Sequence, residues 1–172
     1  MSTSTERHKR LSRTRVPPKD VLTHPWSLVA FGFGAGLSPV APGTVGTLVA
    51  IPIFLLANSL SPPAYVAIIL VLFYFGVIAC TNCQRHLKVS DHPGIVIDEI
   101  IGFMITMAFC PASIASILGG FVLFRLFDIL KPWPIRWIDR RIHGGFGVML
   151  DDVIAGVFAA FCLRIISGTY GL

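Results

Sequence analysis

The stretch ASIASILGGFVLFRLFDILKPWPIRWIDRRIHGGFGVMLDDVIAGVFAAFCLRII, residues 112–166, decides how the chain is built. Two apolar runs, 112–127 and 147–166, flank a polar segment holding Lys131, Arg136, Arg140 and Arg141. Each run is near or slightly below the ~20 residues with which a helix crosses a hydrocarbon core. Asp128 closes the first run, and Asp151 and Asp152 stand near the start of the second. Charges beside or inside such helices are costly and mark function.

Three further apolar runs precede this stretch, at 45–60, 64–80 and 95–110, and the breaks between runs carry Pro, Gly or charge. Ser61-Pro62-Pro63 and the turn at Pro111 are tight enough to make helical hairpins, whereas the other two connections are wide and polar. The predicted fold class is all-α, a polytopic membrane helix bundle with about five short, tilted or broken transmembrane helices. Residues 1–24 read as a basic polar cytoplasmic tail and 25–172 as a single membrane-embedded domain, with Trp26 to Gly36 adding an interfacial or re-entrant element.

Composition agrees. Of 172 residues, 54% are hydrophobic and 13% charged, at a mean hydropathy of +0.76. Soluble domains carry about 25% charged residues, so both disorder and a water-soluble globule fit poorly. The net charge of +5 sits mostly in the first twenty residues, which hold Arg7, Lys9, Arg10, Arg13, Arg15 and Lys19. That is a polar tail facing a membrane surface and not a nucleic-acid footprint on a folded face. No cleavable leader is expected, and Cys80, Cys83, Cys110 and Cys162 read as free thiols in a reducing compartment.

With the tail in the cytoplasm, five crossings return residues 81–94 and 128–146 to that side, together with Arg85, Lys88, Lys131, Arg136, Arg140 and Arg141. The Pro62 and Pro111 turns hold no charge; Arg164, near the far interface, is the one discordant residue. The same arrangement brings Asp98, Glu99, Asp128, Asp151 and Asp152 to one depth at the inner interface, where the loop 32–47 also opens a helix. Carboxylates without His or Cys among them suit a hard cation such as Mg²⁺. Adjacent acids lie about 100° apart on a helix, so one of each pair is expected to face the cluster squarely: Asp98, Asp128 and Asp152 are favoured, with Glu99 and Asp151 close behind.

Arg125, Asp128 and Lys131 recur at a spacing of three on one helical face, and a planar guanidinium beside an ammonium suits a phosphate group. Gly102 and Gly156 follow Asp98 and Asp152 by four residues, where they allow close helix packing. The segment GFGAGLSPVAPGTVGT (32–47) offers backbone N–H groups and hydroxyls for an anion, although the Gly-Lys-Ser/Thr ending of a nucleotide loop is absent. Cys80-x-x-Cys83 closes no four-thiol site, and His86, His92 and His143 lie in polar loops, placed either to shuttle protons or, as is commoner, simply solvated. Neither the Asp-x-Asp of a haloacid dehalogenase-type phosphatase nor the Pro-Ser-Gly-His of a histidine-nucleophile lipid phosphatase occurs.

GFGAGLSPVAPGTVGT (32–47), IVIDEIIGFMIT (95–106), FRLFDILKPWPIRWIDRRIHGGFGVMLDDVIAG (124–156) and the Pro25-Trp26 entry together resemble the phosphatidylglycerophosphatase A family over residues 25–166. One departure is Thr47, where the family often has Ser, which keeps the hydroxyl. The resemblance implies a Mg²⁺-dependent phosphomonoesterase that converts phosphatidylglycerophosphate to phosphatidylglycerol at the cytoplasmic face of the bacterial inner membrane. Placed beside the charge pattern, it leads to a definite expectation. Asp98, Asp128 and Asp152, helped by Glu99 or Asp151, hold one or two Mg²⁺ ions, and Arg125 and Lys131 offset charge on the phosphate. Ser38, Gly43, Thr44 and Thr47 form a neutral cradle, with Trp133 and Trp137 at headgroup depth. The competing reading, a small ion- or proton-coupled transporter, expects acids toward the midplane instead of at one interface. A phosphotransferase moving an alcohol onto a nucleotide-activated lipid lacks its Asp-Gly-x-x-Ala-Arg signature here.

Overall fold

A computed structural model describes residues 16–90 and 92–170, and proline decides where its first helices begin. Helices α1 (Pro18–Leu22), α2 (Pro25–Ala30), α3 (Pro42–Ala57) and α4 (Pro62–Leu87) all carry Pro in the first turn, where its missing N–H costs nothing. A 3-10 segment, Gly32–Leu37, links α2 to α3. Then follow α5 (Ile97–Thr106), α6 (Ile114–Leu130), α7 (Ile135–Arg141) and α8 (Gly144–Tyr170). Ser113 caps α6 by accepting from the Ser116 backbone N–H at 3.0 Å. The described residues contain no strand.

The chain is thus all-helical, but the apolar runs do not yield five equal spans. Among the described residues, α4 and α8 are long and apolar enough to cross a membrane. Helices α3 and α6 have 16 and 17 residues, and α5 has 10. Ten residues rise only about 15 Å. The run at 95–110 outlasts its helix because Met107 to Cys110 close into turns, with Phe109 at a left-handed φ of 63°. Helix α4 errs the other way and continues to Leu87 through residues expected in a loop. Thr81 and Asn82 remain helical because their side chains donate to the carbonyls of Val77 and Ile78, at 2.7 and 2.8 Å.

Helix α8 is the centre of the bundle and packs on α4, α5, α6 and α7. Its contact with α5 is backbone-close: a Cβ on Gly102 would lie 2.8 Å from the Asp152 carbonyl oxygen, and one on Gly156 would overlap the Gly102 carbonyl. The two glycines therefore set how near the two acid-bearing helices come. Ile97, Ile100, Ile101, Phe103 and Met104 bury almost the whole circumference of α5.

The outer faces are apolar. Ile114, Leu118, Val122, Leu126 and Ile129 form an exposed stripe along α6, joined by Leu70 and Phe75 on α4 and by Val157, Phe161 and Ile165 on α8. Exposed apolar side chains on three helices are compatible with a lipid-facing surface.

The N-terminal elements cover the cavity end of the bundle. Val21, on α1, and Phe31 are fully buried, and the Val96 N–H donates to the Ala30 carbonyl at 2.9 Å. The stretch 16–24, read from sequence as tail, contributes a short helix that is exposed except for Val21; residues 1–15 lie outside those described. Gly36 packs directly on the Gly94 carbonyl, with no room for a side chain. At the opposite end, the Tyr65 hydroxyl donates to the Met104 carbonyl at 2.7 Å, and Arg164 donates to that of Ala108 at 3.1 Å. All four cysteines are free.

Candidate active site

Four elements deliver acids to one cavity of about 420 Å³, α7 adding Asp139 at its border. Asp98 and Glu99 come from the first turn of α5, Asp128 from the last turn of α6, and Asp151 and Asp152 from α8. Asp98, Glu99 and Asp152 each present an oxygen within 4.8 Å of the other two. Both acids of the α5 pair belong to this group, so the expectation that one of each pair would dominate does not describe α5. Asp128, favoured from sequence, lies instead against Arg125, with Nη1 2.6 Å from its Oδ2. The same Nη1 is 3.6 Å from Glu99 Oε1.

Asp151 leaves the cluster too. Lys131, just past the end of α6, donates to its Oδ2 and, at 3.1 Å, to Oδ1 of Asp139 on α7. Burial disfavours the Lys131 ammonium, but the two carboxylates outweigh it and raise its pKa above the ordinary lysine range. Asp151 and Asp139 thus favour the charged form of Lys131 at the cavity wall.

Several polar atoms here are buried without a hydrogen-bond partner among the described residues: Glu99 Oε2, Asp152 Oδ2, Asp151 Oδ1 and Arg125 Nε. Orphaned carboxylate oxygens are costly and call for a bound partner. Two of them belong to the three-acid group, whose all-oxygen character fits a hard divalent cation such as Mg²⁺. The neighbouring guanidinium and ammonium make the same cavity a place for an anion.

The glycine-rich loop takes a smaller part than its composition promised. Of its residues, Ala41, Pro42 and Gly43 line the cavity, at the N-terminus of α3. Gly43 is required by space, since a Cβ there would overlap Glu99 Oε1. Ser38 donates to the Val40 carbonyl at 2.8 Å, and the buried Thr47 donates to that of Gly43 at 2.9 Å. Neither hydroxyl lines the cavity, nor does Thr44.

His92 lines it and is buried, its Nδ1 accepting from the Gly94 N–H at 3.0 Å. That corrects its reading as a solvated loop residue: the turn into α5 folds its ring onto Phe31. His143, which is exposed, also borders the cavity, as do Ser90 and Asp139. These four were missed as site residues; the signal was their position in the two polar connections directly before α5 and α8.

Residues 28–167 match the family model described as Phosphatidylglycerophosphatase A. A phosphatidylglycerophosphatase A of Escherichia coli strain K12 is 43% identical over 161 residues, covering 93% of this chain and 91% of the relative. One from Haemophilus influenzae is 41% identical over 140 residues, covering 80% and 86%. A Bacteroides thetaiotaomicron protein, provisionally described as a phosphatidylinositol-3-phosphatase, is 36% identical over 145 residues, covering 80% and 91%. No solved structure matches the chain significantly.

Proposed function

Because the chain belongs to the phosphatidylglycerophosphatase A family, we propose that it is the enzyme that hydrolyses the terminal phosphomonoester of phosphatidylglycerophosphate, using the cavity between α3, α5, α6 and α8. The observation that carries this reading is the division of charge inside one cavity. Three carboxylates share a centre, and Arg125, 3.6 Å from Glu99, and Lys131, paired with Asp151, stand beside it. A phosphomonoester needs both, a cation on its oxygens and fixed donors around them.

Asp98, Glu99 and Asp152 would hold Mg²⁺, with Asp151 and Asp128 at the margin of the set. Bound there, the ion supplies Lewis-acid polarisation of the phosphate. Arg125 directs its guanidinium at the phosphate oxygens and offsets the charge that grows on them as the ester bond breaks. Lys131 adds a second positive charge from the loop side. The backbone of Ala41 to Gly43 closes the wall at a helix N-terminus, where anions are favoured. Water attacks phosphorus as the ester P–O bond breaks, and Asp128, whose Oδ2 is engaged by Arg125, takes the water's proton and returns it to the leaving glycerol oxygen.

The apolar outer faces and the charges supply the orientation. Arg85, Lys88, Lys131, Arg136, Arg140 and Arg141 lie at the cavity end of the helices, and Arg164 at the other. By the positive-inside rule this distribution supports a cavity at the cytoplasmic face of a bacterial inner membrane, with α3, α4, α5, α6 and α8 embedded to differing depths in the proposed topology. Acids gathered at helix ends beside cations favour a headgroup site over the midplane path of a carrier.

Phosphate release by the purified protein in mixed micelles tests this. The substrates are phosphatidylglycerophosphate, phosphatidic acid and a water-soluble phosphomonoester, each with Mg²⁺ and with chelator. Mg²⁺-dependent release that is fastest from phosphatidylglycerophosphate is the expected result. Folded protein that releases phosphate from none of the three would overturn the reading.

A further inference from the structure

A second groove, of about 530 Å³, opens next to the catalytic cavity and takes no part in the chemistry just described. Trp133 and Trp137 line it, together with Arg136, Arg140 and Arg141, and no acid does. Lys131 lines both the groove and the cavity, so the two spaces meet at that residue. The indoles are 82% and 49% exposed, which in an unpartnered surface would be costly for residues of this size.

The arginines differ in freedom. Arg141 stacks over the Trp137 ring, 4.7 Å from its centroid, and Arg136 reaches the Leu130 carbonyl at 3.5 Å. Arg140 makes no hydrogen bond or ion pair among the described residues. The groove therefore has an apolar floor at the level where aromatic side chains meet lipid headgroups, and it offers guanidinium groups with no counter-charge of its own.

We infer that this groove binds the internal phosphodiester of the lipid substrate, with the glycerol backbone against Trp133 and Trp137, while the terminal monoester lies in the acidic cavity beyond Lys131. The inference rests on the proposed activity for the identity of the lipid. Its ground is complementarity: phosphatidylglycerophosphate carries two anionic groups joined by one glycerol, and the protein has two adjoining cation-bearing spaces joined at one lysine. The groove then confers specificity. A lipid with a monoester and no diester, such as phosphatidic acid, fills the cavity and leaves the arginines unused.

The test is the double variant Arg136→Gln, Arg140→Gln in the full chain, both positions being exposed. In nonionic micelles, where no anionic surface rewards a basic anchor, kcat/KM for dioctanoylphosphatidylglycerophosphate should fall about tenfold, while that for dioctanoylphosphatidic acid stays within about twofold. Equal loss on both lipids, or no loss on either, would overturn the inference. Binding gives a readout independent of turnover. Water-soluble dihexanoylphosphatidylglycerol, followed by tryptophan fluorescence, should bind about tenfold more weakly to the double variant, with dihexanoylphosphatidylcholine weak on both proteins. If phosphatidylcholine bound the unaltered protein as well as phosphatidylglycerol does, the groove would read acyl chain alone and the inference would fail. A protein that releases no phosphate but shows this charge-dependent binding would sink the proposed activity and leave the diester site standing.

Discussion

The acidic pair at the start of α5 brings both carboxylates into one cluster, whereas the pair near the start of α8 is divided between two partners. Asp98 and Glu99 share a centre with Asp152, while Asp151 turns to Lys131. Adjacency on a helix fixes the angle between two side chains and nothing else. What lies at each angle is supplied by other elements: for Asp151 a lysine just beyond α6, for Glu99 the packed backbone of Gly43 and the guanidinium of Arg125. Asp151 and Asp152 each keep one orphaned oxygen, but the other oxygen of Asp151 is already met by Lys131, which leaves it less to offer a metal.

That contrast predicts unequal losses. Asp152→Asn should lower phosphate release about 100-fold, and Asp151→Asn about tenfold or less, in single-substrate assays at limiting Mg²⁺. Equal losses would erase the division between the two members of the α8 pair. The α5 side is probed through its neighbour. Gly43→Ala places a Cβ where Glu99 Oε1 now sits, and turnover should fall about tenfold at unchanged helix content by circular dichroism. Full activity would show that Glu99 has slack the structure does not display.

Smaller effects follow from what keeps the two helices together. Gly156→Ala forces α8 away from the Gly102 carbonyl and should destabilise the protein by about 1–3 kcal/mol, read as a lower thermal midpoint in detergent. The smallest change belongs to the opposite end of the bundle. Arg164→Met removes a hydrogen bond to the Ala108 carbonyl far from any acid, and turnover should stay within about twofold. A tenfold loss there would mean that the far end governs the site.

Composition and hydropathy were sufficient for an all-helical, lipid-facing chain, because burying or exposing a whole apolar run to lipid is a sum over residues and needs no partner. Charge placement likewise marked Asp98, Glu99, Asp128, Asp151, Asp152, Arg125 and Lys131, all of which line one cavity. Helix lengths were another matter. The end of α5 at Thr106 and the extension of α4 to Leu87 depend on turn hydrogen bonds and on side chains that satisfy their own helix, and hydropathy does not register either. The roles within the charged set were equally out of reach. Asp128 and Asp151 have the same chemistry as Asp98 and Asp152; Asp128 takes its cation from Arg125 one turn away on its own helix, whereas only the packing of the α6 end against α8 brings Lys131 to Asp151. Pairing between elements distant in sequence is a three-dimensional event. Local spacing can place a carboxylate at the right depth and, for Asp128, set Arg125 beside it, but the lysine that meets Asp151 comes from beyond another helix.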